Sequence, residues 1–260
     1  AHTLQVGRRA YSYRRALACS NHDEAITRLE SSDSKQFVDA QCTDHEPSLV
    51  FMFPGGGAQY AGMGKDLYDK EPVYREAFDA CMNCLDSSFA EKVKSLIFAS
   101  EAELENATEE LQRPSLTLTA LFAVEYSLAT QLMAWGAKPA ALIGHSMGEN
   151  TAACIAGVLQ LKDAMKLVLI RGQLFEKTPE GGMLSISLSQ QDARQYMTEE
   201  MDFAAANAPG LCVASGAAAD IDALQATLEA KEIDCHRVRI QVAAHSRLLE
   251  TILDDFRSYL

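Results

Sequence analysis

The sequence has little positive charge. Its 260 residues include 36 Asp and Glu but only 23 Lys and Arg, so the formal net charge is -13. Because a phosphate backbone is itself anionic, this excess disfavours nucleic acid as a partner. The sequence also shows no apolar run near the roughly 18 to 20 residues that cross a membrane, and no apolar secretory stretch at its start. We therefore expect a cytoplasmic protein that binds neither nucleic acid nor membrane.

The cysteines do not indicate a disulfide framework. There are seven, an odd number, spread from Cys19 to Cys235, so we expect most of them to be small buried apolar residues. Cys81 and Cys84 form a Cys-x-x-Cys, which is typical of redox pairs and of half a zinc site. No second pair follows, and no nearby histidine completes a tetrahedral set. The sequence therefore predicts no resident metal.

The chain has enough apolar residues for a buried core. They make up 48% of the sequence, and the length is that of one or two domains. Residues 1–47 are polar and mixed, with one helix predicted from Asn21 to Leu29, and we interpret them as a linker segment. The apolar run LVFMF, which ends at Pro54 and three glycines, predicts a buried strand. We place the core domain at residues 48–182.

A change of periodicity marks a second part of the fold. Alternating apolar residues around Leu184 predict a half-buried strand, and Gln190 to Glu200 predict a polar helix. Two more strands, a second helix and a final strand over 238–242 complete a β-α-β-β-α-β order. This is the order of a ferredoxin-like subdomain. We assign it residues 183–242, with residues 243–260 returning to the core.

Ser146 lies in Gly144-His145-Ser146-Met147-Gly148, a G-x-S-x-G motif. The motif follows a predicted strand over 140–143 and precedes a predicted helix, which is the context of a nucleophile elbow. The two glycines let strand and helix approach, and the Met147 amide points with the helix start toward a developing acyl oxyanion. The pattern predicts a nucleophilic serine. The alternative is a tight turn with an exposed serine.

A nucleophilic serine needs a base, and the sequence offers six histidines. His145 is adjacent to the serine, so its side chain leaves the turn in another direction. His245 follows the last predicted strand in a stretch of small residues, where a loop would bring an imidazole to the elbow. Spacing alone leaves several candidates open. The six histidines are at positions 2, 22, 45, 145, 236 and 245.

Five segments together resemble a known family. They are, in order, FMFPGGGAQYAGMG (51–64), LIGHSMGENTAACIAGVL (142–159), LIRGQLF (169–175), NAPG (207–210) and VAAHS (242–246). With these segments the chain is similar to the malonyl-CoA:acyl-carrier-protein transacylases, most of all to the acyltransferase domains of modular polyketide synthases. TLQVGRRAYSYRRALA (3–18) resembles the end of the linker between a ketosynthase and an acyltransferase. The resemblance implies an α/β fold, with an α/β-hydrolase-like core and an inserted ferredoxin-like small subdomain, preceded by that linker segment.

The resemblance also assigns roles to particular residues. It implies that Ser146 is the acylated nucleophile, that His245 is the general base, and that Arg171 holds the free carboxylate of the extender unit. On residue type alone, Arg171 would be a solvated residue near a helix end. The amides of Gly56 and Met147 correspond to the oxyanion hole. Gly56 takes the place of a glutamine in the family, which keeps the backbone donor and loses a side chain.

Other positions bear on the substrate. Asn207 corresponds to the rim of the family's active site, and Arg113, where the family often has glutamine, adds a charge near the acyl pocket. The residues that correlate with extender choice are Met147 and the segment from Val242 to the histidine, in which Ala244 replaces a bulky residue. They match neither the malonyl nor the methylmalonyl pattern. We expect malonyl as the extender.

The expected reaction is a two-step transfer. Ser146 attacks malonyl-CoA with His245 as base, and the phosphopantetheine thiol of an acyl carrier protein then takes the acyl group. The prosthetic group belongs to the carrier, so we expect no cofactor on this chain. Expected partners are the carrier protein, the ketosynthase and the other domains of the same synthase. Because the family's imidazole-orienting oxygen lies well beyond His245 and this sequence ends at Leu260, we expect a C-terminally truncated domain.

Two other functions stay open. A hydrolase such as a thioesterase would use a Ser, Asp, His order. A non-catalytic docking module would use none of these side chains. Five of the aspartates between Ser146 and His245 fall in the small subdomain, at positions 192, 202, 220, 222 and 234.

Overall fold

A computed structural model describes residues 2–9, 11–42 and 48–260 of the chain. Within it, the chain divides into two compact units, residues 1–48 and residues 49–260. One of the six histidines, His45, lies outside the described residues.

The first unit contains short elements only. They are α1 (His2–Val6), β1 (Tyr13–Ala16), α2 (His22–Glu30), a 3₁₀ turn (Ser34–Gln36) and β2 (Val38–Gln41). The predicted helix is present as α2, because the Asn21 side chain caps it by accepting a hydrogen bond from the Glu24 N–H at 2.9 Å. β1 and β2 pair antiparallel. The sequence did not predict these strands, because all their side chains are exposed and show no apolar alternation.

The core of the second unit is mixed α/β. Its elements are β3 (Leu49–Phe53), α3 (Lys65–Lys70), α4 (Pro72–Met82), α5 (Ser87–Ile97), a 3₁₀ turn (Glu101–Glu103), α6 (Leu104–Glu110), α7 (Pro114–Ala134), β4 (Pro139–Gly144), α8 (Gly148–Ile155) and α9 (Leu161–Phe175). Helix α9 spans Leu161–Phe175, the stretch over which the helix-forming residues of the sequence predict a helix. After the small subdomain, the chain ends in a 3₁₀ helix (Arg247–Ile252) and α12 (Leu253–Tyr259).

Strands β3 and β4 pair in parallel and end side by side at Phe53 and Gly144. This pairing brings the loop after β3 next to the turn after β4. The prediction that both strands are buried is wrong in part: Met52 is 75% exposed and Ile143 is 54% exposed. In the described part of the chain these two strands pair only with each other, so one face and both outer edges of the ribbon stay uncovered.

Helix α7 is the centre of the core. Its side chains are buried nearly all round, as expected for a helix enclosed by others. By length and composition it could cross a membrane, and 67% of its most apolar stretch is buried inside the protein. The expectation that no apolar run reaches this length is therefore wrong. Burial on this scale is typical of a core helix rather than of a membrane span.

The small subdomain has its own sheet and its own core. Its elements are β5 (Gly181–Ile186), α10 (Gln190–Arg194), β6 (Asp202–Ala208), β7 (Leu211–Ala217), α11 (Ala218–Glu229) and β8 (Cys235–Arg237). The strands pair antiparallel in the order β6-β7-β5-β8. This order is that of a ferredoxin-like sheet, as predicted. A separate apolar cluster, which includes Leu184, Ile221 and Leu228, packs between the sheet and the helices.

Two predicted elements of the subdomain are wrong. The polar helix ends at Arg194 rather than Glu200, and the final strand is Cys235–Arg237 rather than 238–242. Residues 238–242 alternate in apolarity for another reason. Val238 and Ile240 reach across to the loop after β3, where Cγ1 and Cδ1 lie 2.9 Å and 2.8 Å from the positions that a Cβ would take on Gly57 and Gly56.

Candidate active site

The turn after β4 holds Ser146 in a strained conformation. Its φ is +52°, in the left-handed region that non-glycine residues rarely adopt. A side chain on Gly144 would collide with the backbone of Glu149, and one on Gly148 would collide with the carbonyl oxygen of Phe53. Strand, turn and helix therefore approach as closely as the G-x-S-x-G motif predicts. The turn presents the serine hydroxyl to a cavity.

His245 is the histidine that reaches this serine. Its Nε2 lies 2.7 Å from Ser146 Oγ, and it too has a left-handed φ, of +58°. Partial desolvation at the cavity wall, with the nearby charge of Arg171 and the adjacent His145, lowers the pKa of His245. A neutral imidazole is the form that accepts the serine proton. His236 instead pairs with Asp234 on the surface, at 3.2 Å.

Arg171 supplies a positive charge beside the nucleophile. It lies on α9, half-buried, with Nη2 3.5 Å from Ser146 Oγ. Burial lowers the pKa of Arg171, whereas the nearby Glu149 raises the pKa of that guanidinium. The guanidinium stays charged in either case. Across the described ranges, 2–9, 11–42 and 48–260, Arg171 forms no ion pair, whereas several surface arginines do. This unpaired guanidinium is available to a carboxylate on a substrate.

Two backbone amides next to the nucleophile have no hydrogen-bond acceptor in the described part of the chain. A Cβ on Gly55 would lie 3.3 Å from Ser146 Cβ, so the loop after β3 runs beside the serine, and Gly56 lines the cavity. Among the described residues, neither the Gly56 nor the Met147 N–H donates a hydrogen bond to another protein group. Met147 also precedes the start of α8. Free donors at these positions are what a tetrahedral oxyanion requires.

The cavity around Ser146 has a volume of about 670 Å³. Asn207 and Ala244, two of the residues expected at the substrate, line it. Glu149 and Phe175 line it as well, although the sequence reasoning missed them. Glu149 had a signal, because it lies three residues after the nucleophile on the first turn of the helix. Other apolar wall residues are Leu118, Met183, Val213 and Ile240.

Three residues expected near the substrate lie elsewhere. The Met147 side chain is fully buried in the core, with its sulfur 4.0 Å from Thr151 Oγ1, and Val242 is 1% exposed in the same core. Neither lines the cavity. Both are apolar side chains that packing has turned inward. Arg113 lies in a neighbouring cavity and pairs with Glu176 at 3.2 Å, so its charge is already compensated.

Four of the five aspartates that a Ser-Asp-His hydrolase could use bond to other residues. Asp202 pairs with Arg247 at 2.9 Å, and Asp222 pairs with Arg237 at 2.6 Å. Asp192 bonds Ser189, and Asp234 bonds Ser187. Within the described part of the chain, Ser146 is the only hydrogen-bond partner of the His245 imidazole. These side chains therefore do not assemble the triad of the alternative function, a hydrolase.

All seven cysteines are described, and all carry free thiols. Four of them, Cys81, Cys154, Cys212 and Cys235, are buried, which agrees with the apolar role predicted for most. Burial raises the pKa of the Cys154 thiol to about 11. Such thiols are protonated at neutral pH and unreactive.

Known proteins resemble this chain in sequence. The acyl transferase domain family matches residues 50–260, and the RhiE-like, KS-MAT linker domain family matches residues 1–36. A phenolphthiocerol/phthiocerol polyketide synthase of Mycobacterium tuberculosis is 34% identical over 94% of this chain, which covers 16% of that protein. An orsellinic acid synthase of Armillaria mellea is 34% identical over 98% of this chain, which covers 12% of it.

Solved structures share the fold. The acyl transferase domain of ZmaA has a TM-score of 0.80 and 38% identity, over 99% of this chain and 60% of that chain. The acyl transferase domain of SpnD has a TM-score of 0.83 and 32% identity, over all of this chain and 60% of that chain. These neighbours confirm the predicted fold class. The matches to both families and to these domains show that the chain belongs to the acyl transferase domain family of polyketide synthases.

Proposed function

We propose that this chain transfers a malonyl-type acyl group from coenzyme A, through an ester on Ser146, to the phosphopantetheine thiol of an acyl carrier protein. One arrangement carries the proposal: Ser146 Oγ lies 2.7 Å from His245 Nε2 and 3.5 Å from the Arg171 guanidinium. A base and an unpaired cation beside one nucleophile fit an acyl thioester that also carries a free, ionised carboxylate.

The first half of the reaction forms the acyl enzyme. Neutral His245 takes the proton from Ser146 Oγ as that oxygen attacks the thioester carbonyl. The Gly56 and Met147 amides donate hydrogen bonds to the tetrahedral oxyanion. The carbon–sulfur bond then breaks, and the imidazolium returns the proton to the sulfur of coenzyme A. Arg171 holds the distal carboxylate throughout, which keeps the thioester carbon within reach of the serine.

The second half of the reaction releases the acyl group. The carrier's phosphopantetheine thiol gives its proton to His245 and attacks the serine ester. The carbon–oxygen bond to Ser146 breaks, and the imidazolium reprotonates the serine oxygen. Because coenzyme A leaves the acyl enzyme before the carrier thiol attacks it, the mechanism is ping-pong, and the same three side chains serve both halves. The chain itself supplies no bound cofactor in this scheme.

The small side chain of Ala244 on the cavity wall leaves room for a substituent on the extender unit. We propose malonyl as the preferred acyl group, with α-substituted malonyl groups tolerated. Ala244 lines the cavity with a small side chain, and the buried Met147 does not refill that space. The SpnD domain was solved in complex with a 2-(pent-4-yn-1-yl)malonyl group. Since one methyl group is worth only about 1 to 3 kcal/mol in a pocket, the discrimination should be modest.

The partners we propose are an acyl carrier protein, a ketosynthase and the other domains of a polyketide synthase. The linker-family match at residues 1–36 supports a neighbouring ketosynthase. The chain spans only a small share of the synthases it resembles, so these partners belong to the proposal. We place the reaction in the cytoplasm.

The proposal is tested by incubating the chain with malonyl-CoA radiolabelled in the acyl group. We expect label to stay on the protein, and peptide mapping to find it on Ser146. Ser146→Ala should carry no label, while Ser95→Ala, which changes an exposed serine on α5, should label normally. Release of free malonate would favour the hydrolase, and a protein that never acquires label would favour a docking module.

A further inference from the structure

A buried glutamine joins the two loops of the active site. Gln59 is 2% exposed. Its Oε1 accepts a hydrogen bond from the Gly57 N–H at 2.8 Å, and its Nε2 donates to the carbonyl oxygen of Arg239 at 2.6 Å. Only this orientation of the amide suits both partners, because one is a donor and the other an acceptor. The side chain therefore bridges segments 180 residues apart.

The two loops that Gln59 joins carry different parts of the catalytic machinery. Gly57 follows directly on Gly56, which lines the cavity and whose amide is the proposed oxyanion donor. Arg239 lies in the irregular segment that runs from β8 to His245. Neither loop is regular secondary structure. The second loop is held by backbone hydrogen bonds from the Val238 N–H to the Met183 carbonyl at 3.0 Å and from the Gln241 N–H to the Gln112 carbonyl at 3.2 Å, but neither bond reaches the first loop. In the described part of the chain, Gln59 is the only partner of the Gly57 N–H and of the Arg239 carbonyl oxygen.

Packing around the bridge leaves the loops little freedom to slide. Ile240 Cδ1 lies 2.8 Å from where a Cβ on Gly56 would be, and Val238 Cγ1 lies 2.9 Å from that position on Gly57. The glycines therefore let the second loop lie directly on the first. Apolar contact holds the loops together but does not fix their register, because it is not directional. The two hydrogen bonds of Gln59 are directional and supply that register.

We propose that Gln59 is a positioning residue for acyl transfer, which sets the Gly56 amide in register with the segment that carries His245. This inference rests on the proposed acyl transfer. Gln59 touches no reacting atom, and it does not line the cavity, so substrate binding should depend on it little. The oxyanion forms only in the transition state. Losing the register should therefore lower kcat much more than it changes KM.

The experiment compares two substitutions of Gln59 in the whole chain, with malonyl-CoA as the donor and the rate of Ser146 labelling as the readout. In this assay kcat is the labelling rate at saturating malonyl-CoA, and KM is the malonyl-CoA concentration that gives half of that rate. Gln59→Leu removes both hydrogen bonds while keeping the volume similar. We expect kcat to fall by about tenfold or more, with KM changing by less than about threefold. A kcat equal to that of the wild type, or a loss confined to KM, would overturn the inference.

Gln59→Glu provides a test that does not depend on the leucine variant folding. A protonated glutamic acid can accept from the Gly57 N–H and donate to the Arg239 carbonyl, whereas a carboxylate opposes that carbonyl oxygen. Relative to the wild type, the labelling rate of this variant should rise as the pH falls from about 8 to about 6. A ratio that stays flat over this range would contradict the positioning role.

Gln131 offers a matched control. It is also a glutamine with 2% exposure, and its Oε1 accepts from the Tyr74 N–H at 2.9 Å on the far side of α7. Gln131→Leu should lower stability without changing the kcat of folded protein. An equal loss of kcat in both leucine variants would mean that Gln59 acts only on stability. If the wild type never acquires label, the proposed acyl transfer is itself wrong, and the role of Gln59 is overturned with it. A labelled wild type with an unchanged Gln59→Leu variant would overturn the role of Gln59 alone.

Discussion

Ser146 and His245 are held by the protein in different ways. The serine sits between β4 and α8, and the close approach of these two regular elements, allowed by Gly144 and Gly148, fixes its backbone. The histidine sits in an irregular segment fixed from outside, where Ser215 Oγ of the small subdomain donates to the Ala244 carbonyl at 2.8 Å. Ser146 therefore depends on local backbone geometry, and His245 depends on contacts distant in sequence.

The largest effect is expected at the turn that holds Ser146, which has no room for a methyl group on Gly148. Gly148→Ala puts a methyl group against the Phe53 and Pro54 carbonyl oxygens, which are backbone atoms that cannot move aside. We expect destabilisation of about 3 kcal/mol or more and no labelling of Ser146. The measurement is urea unfolding together with labelling. Gly210→Ala, where a methyl group meets nothing within 4 Å, is the control and should behave like the wild type.

The next largest effect is the pH dependence of stability that the buried carboxyl of Glu125 should cause. Glu125 is 7% exposed, accepts a hydrogen bond from Thr151 on α8, and has its pKa raised by burial to about 8. The unfolded chain loses this proton near its ordinary pKa of 4.5, while the folded chain keeps it. Stability should therefore fall as the pH rises from 4.5 to 8, by at most about 1.4 kcal/mol per pH unit.

This pH dependence is measured by urea unfolding at several pH values. Glu125→Gln, which needs no proton to stay neutral, should flatten the stability profile between pH 4.5 and 8. Glu105→Gln on α6, an exposed position, should leave the profile as it is. If Glu125→Gln and the wild type lose stability in parallel, the carboxyl is ionised in the folded protein.

A smaller effect is expected when the segment that carries His245 loses its hydrogen bond to Ser215. Ser215 is fully buried, and Ser215→Ala leaves the Ala244 carbonyl without its donor, at a cost of about 1 to 3 kcal/mol. We expect folded protein whose kcat falls several-fold, because the residue before His245 has lost an anchor. Ser187→Ala, which removes an exposed hydrogen bond to Asp234 at 3.1 Å, controls for the subdomain. Unchanged kcat in Ser215→Ala would show that the anchor does not position the histidine.

The smallest effect concerns the base itself. Because desolvation and the charge of Arg171 lower the pKa of His245, the neutral imidazole should persist below the ordinary histidine pKa of 6.5. On the acid side, the pH at which the labelling rate falls to half should therefore lie below 6.5. This fall is the acid limb of the pH profile. In Arg171→Ala the limb should move to higher pH, since a nearby positive charge is gone. A limb at the same pH in both proteins would mean that the two side chains do not interact.

The sequence predicts the serine side well because its signals are local. The motif from Gly144 to Gly148 lies between a predicted strand and helix, and α9, which carries Arg171, has its predicted bounds. Periodicity also revealed the ferredoxin-like order. Each of these features depends on residues close together in the sequence.

The histidine side was predicted less well because long-range packing decides it. The alternation of Val238 and Ile240 has the period of a strand, but these side chains pack on the glycines after β3. Met147 and Val242 match family positions that correlate with extender choice, yet both point into the core. No local pattern distinguishes an apolar side chain that faces a cavity from one that faces the core.

In the proposed reaction, Arg171 selects a donor with a free carboxylate for Ser146. The direct measurement gives the wild type and Arg171→Ala equal concentrations of malonyl-CoA and acetyl-CoA, and weighs the acyl group on the Ser146 peptide. A charge-assisted pair contributes about 1.5 to 3 kcal/mol, so the wild type should carry malonyl, and the variant should lose malonyl labelling by about tenfold or more while acetyl labelling changes little. Equal loss of both acyl groups, or acetyl on the wild type, would contradict the account.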